Sequence, residues 1–157
     1  MDGKSPERNF LLILLAVCCV IVVIGAMAPL SQPRIPMNDV RAAHSAFRLI
    51  AAEQQYAERF PAASFTCDLR QLAQAGIVDK VWASGEKAGY HYELHGCNTT
   101  APVAAFSLSA VPIIQGKTGK FAFCANQEGM LWYAGSGFAE ECFRARARLT
   151  RSDPLPN

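Results

Sequence analysis

A chain of 157 residues leaves room for one small domain beside any long apolar segment. Hydrophobic residues make up 51% of it, much of that in the first thirty positions, and 15 Lys and Arg against 13 Asp and Glu give a net charge of only +2. That balance is too weak to argue for nucleic acid as a partner.

Residues 1–9 form a leader in which Asp2, Lys4, Glu7 and Arg8 cancel. From Phe10 to Ala28 there is neither a charge nor an amide. As a helix this stretch would span roughly 28 Å, close to the hydrocarbon thickness of a bilayer, so residues 10–28 are predicted to be a transmembrane helix. Lys4 and Arg8 precede it, which keeps the N-terminus cytoplasmic and sends the remainder across. Ala26, Met27 and Ala28 also give the small-residue outline of a cleavable signal. Pro29 fits poorly just after such a cut, and a retained anchor is the favoured reading. Within the segment Cys18 and Cys19 act as small hydrophobes.

Pro29, Pro33 and Pro36 make residues 29–37 a kinked or extended connector. Asn38 or Asp39 is expected to cap a helix, with Met37 as its staple. Val40, Ala43, Phe47, Ile50 and Ala57, flanked by Ala42, Ala46, Leu49, Tyr56 and Phe60, recur at helical spacing up to Pro61. Arg41, Arg48, Glu53, Glu58 and Arg59 are expected mostly to face away. Thr66 is placed as the cap of a short helix from Cys67 to Ala75, with Gly76 as its stop, and Asp79 to Ser84 as a further turn.

The period then changes to two. Tyr90, Tyr92 and Leu94 alternate with His91, Glu93 and His95; Ala104 to Val111, Phe121 to Cys124 and Met130 to Tyr133 follow. The expected fold is α+β, with an amphipathic helix packed on a four-stranded antiparallel meander. The domain is placed at residues 38–150, ending in a short helix from Ala139 to Leu149, with a disordered tail at 151–157.

Candidate sites are few. His91, Glu93 and His95 share one strand face and form a possible metal set, although a solvated face accounts for the same pattern. Arg144, Arg146, Arg148 and Arg151 form a basic cluster, with Arg144, Arg148 and Arg151 on one face if the tail is helical. They could meet an anionic polymer or an acidic partner, but no aromatic stacking set accompanies them. Ser107 and Ser109 have no evident histidine and carboxylate partners in the sequence, so neither catalysis nor a cofactor is expected. Beyond the apolar segment lie Cys67, Cys97, Cys124 and Cys142, widely spaced and without a CxxC pair. They predict two disulfides in an oxidising compartment, with three pairings open.

Several stretches carry a family likeness. Ser84-Gly85-Glu86-Lys87-Ala88-Gly89-Tyr90 resembles the SG-x-K-x-GY lead into the first strand of one group of type IV pilin-like and pseudopilin-like proteins. Thr118-Gly119, followed by Phe123 to Gly129, is similar to that group's TG…F…(D/N)Q-x-G hairpin, and the run Phe47 to Phe60 before Pro61 is also alike. The N-terminus is degenerate: Asn9 stands where pilins carry the glycine cut by prepilin peptidase, and Leu14 where they carry the glutamate used in assembly. The resemblance implies a pilin-like outer domain and Cys124 bridged to Cys142, as in the C-terminal disulfide loop of many pilins, with Cys67 bridged to Cys97. It further implies a non-enzymatic envelope protein of the inner membrane, its domain periplasmic or extracellular. The implied partners are the lipid bilayer and pilus, pseudopilus or other envelope proteins, with filament assembly left open. The alternative is a secreted or anchored receptor domain for a small ligand or polymer.

Overall fold

The computed structural model describes residues 35–97 and 101–155. Helix α1 runs from Ile35 to Arg59, and α2 from Leu69 to Gln74; a 3-10 turn follows at Lys80–Ser84. Then come β1 (Glu86–Lys87), β2 (Tyr90–His95), β3 (Ser107–Pro112), β4 (Ala122–Asn126) and β5 (Leu131–Ala134). The chain ends with α3 (Ala139–Ala145) and β6 (Ala147–Leu149).

The expected architecture, a transmembrane helix and then a helix on a four-stranded meander, needs correction. The sheet has six strands in the order β1-β2-β3-β4-β5-β6, all antiparallel. Among the described residues no helix is long and apolar enough to cross a membrane. Residues 10–28, where that helix is expected, lie outside the described residues. The two extra strands, of two and three residues, are too short to display a period of two. The predicted helix from Ala139 to Leu149 breaks at Arg146, whose φ of 49° turns the chain back so that Leu149 pairs with Leu131.

Register explains the layers. Tyr90 and Tyr92, Leu108 and Ala110, Phe123 and Ala125, Leu131 and Leu149 point to one face of the sheet and are buried there. Opposite them α1 contributes Ala42, Ala43, Ala46, Leu49 and Ile50. A helix face rich in alanine lets the backbone approach closely, and the sheet's aromatic rings fill the space between. The other face holds Cys124, Trp132 and Ala134 under Cys142 and Phe143 of α3. Side chains that alternate along β4 therefore enter two different cores, and α1 and α3 cover opposite faces of the sheet.

Two capping expectations fail for the same reason, namely that the residues have tertiary partners. α1 begins at Ile35, so Asn38 and Asp39 lie within its first turns. Asp39 is buried and accepts hydrogen bonds from the Tyr90 hydroxyl and from Lys120 N (2.9 Å), while Asn38 Nδ2 donates to Thr118 O at 2.8 Å. Asp68, not Thr66, caps α2, accepting from Arg70 N at 2.8 Å. Gly119 is set by this junction, because a side chain there would collide with the Tyr90 ring.

Candidate functional site

The strand pairing brings together a constellation that the sequence does not reveal. On the outer face His95 Nε2 lies 2.7 Å from Ser109 Oγ, and His95 Nδ1 lies 3.8 Å from Glu93 Oε1. Ser109 sits directly across from Glu93, one strand over, so antiparallel register produces the row. Nucleophile, base and carboxylate thus stand in the order of a hydrolytic triad.

Two features deny it that chemistry. Ser109 is only 3% exposed, and the Phe143 ring of α3 stands edge-on to His95, with centroids 6.2 Å apart. Among the described residues Oγ is thus covered, not presented on the surface. Ser109 also lies mid-ladder, paired on both sides with β2 and β4, so its strand supplies no cluster of free N–H groups for an oxyanion. The row reads as a hydrogen-bonded seam beneath α3, in which a buried hydroxyl finds its partner.

The possible metal set disperses. His95 is engaged with Ser109, whereas His91 lies beside Gly85. Among the described residues no three ligating side chains converge. His91 and Glu93 line a shallow groove of about 320 Å3 together with Asp68, Arg70 and Ser84; neither His95 nor Ser109 reaches it.

The basic cluster is divided by the break in the tail. Arg144 is on α3, Arg146 follows it with its guanidinium 5.6 Å from the Trp132 ring centre, and Arg148 is on edge strand β6. Arg151 lies beyond, 5.2 Å from the Phe47 ring of α1. All four are exposed, and they do not form one helical face. A charge on β6 does protect an open sheet edge from pairing with another strand. The four cysteines form the bridges Cys67–Cys97 and Cys124–Cys142.

Glu53, expected from its place in the sequence to face solvent, is fully buried. Its Oε2 accepts from Thr66 N at 2.8 Å and its Oε1 lies 3.3 Å from Thr66 Oγ. Burial pushes its carboxyl up to about 7, against the Thr66 hydrogen bonds that pull it down. The signal is present in the sequence, since Glu53 falls three and four residues after the buried Ile50 and Leu49. Tyr90 is likewise held far above the ordinary phenol range, first by burial and then by the Asp39 carboxylate. A further groove, of about 190 Å3, lies between Val40, His44 and Phe47 of α1 and residues 149–155, with Leu155 packed against the core.

Comparison with known proteins gives no match among family models, curated proteins or solved structures.

Proposed function

We propose that this chain is a membrane-anchored, non-enzymatic envelope protein, an accessory component of a type IV pilus or type II secretion-like system, or a partner-binding module. The apolar segment 10–28 holds it in the inner membrane, and the helix-backed sheet presents loops and tail on the far side. The observation that carries this reading is the build of the outer domain. A long helix spans one face of an antiparallel meander, and a disulfide fastens the tail to the other. That arrangement suits docking, and the pilin-like stretches in the sequence point the same way.

A ligand-binding receptor is the second reading, favoured by the groove between α1 and the tail. Its volume of about 190 Å3 lies below the roughly 300 Å3 at which small-molecule sites begin, whereas the shallow groove lined by His91 and Glu93, about 320 Å3, lies just above it. Crosslinking in native membranes followed by mass spectrometry separates the two. The expected crosslinks join the exposed loops or tail to inner-membrane components of pilus or secretion machinery. Their absence, with a reproducible ligand-induced rise in melting temperature, would favour the receptor instead.

A further inference from the structure

The two disulfides differ in access. Cys124 and Cys142 are fully buried between α3 and the sheet. Cys67 is exposed just ahead of α2, whereas Cys97, two residues past β2, is half-buried against the core. Cys67 also forms part of the wall of the 320 Å3 groove between α2, the 3-10 turn and β2, which Cys97 does not reach. A thiolate arriving from solvent therefore meets one sulfur of this bridge and neither sulfur of the other. Charge gives no help to such an anion: Arg70 is paired with Asp68 at 3.1 Å, and Glu93 and Glu86 are the neighbours of His91. Access is what separates the two bridges, and exposed bridges are the ones that exchange.

The geometry also receives the released sulfur. Cys97 Sγ lies 3.6 Å from His95 O and 3.8 Å from Thr66 O. Bonded to Cys67 it has no hydrogen to give; released as a thiol, it can donate to either carbonyl. The surrounding chain does not rely on the bridge alone. Val103 N donates to Ala63 O at 3.0 Å, Thr66 N donates to Glu53 Oε2 at 2.8 Å, and Leu69 and Leu72 of α2 are buried. These contacts keep Cys67 and Cys97 near each other when the bridge opens, so that it can close again.

We propose that Cys67–Cys97 is a thiol–disulfide exchange site for a dithiol partner, attacked at Cys67, and that Cys124–Cys142 is a permanent staple. One thiolate of the partner attacks Cys67 Sγ. The bond to Cys97 breaks, a mixed disulfide forms, and Cys97 leaves as a thiolate that takes a proton from water. The partner's second thiolate then attacks its own sulfur in the mixed disulfide and releases Cys67, which is protonated in turn. The partner ends as a disulfide, oxidised by two electrons, and the bridge ends as two thiols. None of this depends on how residues 10–28 are held.

The test uses the full oxidised chain in detergent micelles, without denaturant. Dithiothreitol serves as a small dithiol and reduced thioredoxin as a protein dithiol. Samples are quenched in acid at intervals, free thiols are alkylated with one reagent and the remainder, after full reduction, with a second, and peptide mapping reads each cysteine separately. Cys67 and Cys97 should take the first reagent at least about tenfold sooner than Cys124 and Cys142. Their rate should rise in proportion to dithiol concentration, while the amides of β2 to β5 stay protected from exchange. In the single variants, Cys67 of Cys97→Ser should take up oxidised glutathione faster than Cys97 of Cys67→Ser. Opening by dithiothreitol alone limits the partner to small dithiols, and opening by both reagents extends it to proteins. Four cysteines that label together, or a rate independent of dithiol concentration, would mean that the bridge opens only by unfolding and would overturn the exchange site. Loss of amide protection across the sheet on opening would make the bridge a second staple and overturn it too. Equal glutathione uptake by the two variants would overturn the assignment of Cys67 as the attacked sulfur.

Discussion

Replacing the outer-face bridge with alanines, Cys124→Ala with Cys142→Ala, is expected to lower the unfolding free energy by about 3 kcal/mol. The bridge closes a loop with a sequence separation of 18, and constraining that loop in the unfolded chain accounts for most of the effect. Both cysteines are fully buried between α3 and the sheet, so their removal also leaves a void among Trp132, Ala134 and Phe143. Loosening should appear first in α3 and β6, whose amides would exchange before those of β2 and β3. The inner bridge, Cys67–Cys97, spans 30 residues, and its removal should cost about 3.5 kcal/mol by the same reasoning. Urea unfolding of the full chain in detergent micelles measures both. A loss below about 1 kcal/mol for the outer pair would mean that packing alone holds the tail.

Glu53→Gln is expected to abolish a pH dependence of about 3 kcal/mol between about pH 4.5 and 7. The folded-state value, about 7, lies above the ordinary 4.5. The folded chain therefore binds this proton more tightly than the unfolded chain does. The stability it contributes is fully present below the ordinary value and is lost as pH rises through about 7. Protonated Oε1 can donate to Thr66 Oγ, which in turn donates to Asp68 O at 3.0 Å, and a glutamine amide reproduces that chain without a charge. The Glu53→Gln variant should match the parent at low pH and exceed it at pH 8. Parallel stability curves for the two proteins would show that the buried carboxyl does not titrate in this range.

How much is legible in the sequence depends on whether a residue's partners are near in sequence. The long α1 and the four longer strands follow from their own periodicity, because each buries one face. The short strands do not, since β1 and β6 exist only because a longer neighbour offers an unpaired edge. Asp39, Asn38 and Thr66 look like helix caps locally, but each forms bonds with residues distant in sequence, at Tyr90 and Lys120, at Thr118 and at Glu53. The Ser109–His95 pair is invisible in one dimension because it depends on the register of two strands. The arginines are spaced for a helix that ends before most of them are reached.

The central claim is that the chain stays in the membrane and holds an oxidised domain beyond it. Alkaline carbonate extraction of native membranes, followed by intact mass of the retained protein with and without reduction, tests this most directly. The account predicts the full-length chain in the extracted membranes, lighter than its reduced form by the hydrogens of two disulfides. A chain recovered in the soluble fraction, with Cys67, Cys97, Cys124 and Cys142 as free thiols, would contradict it.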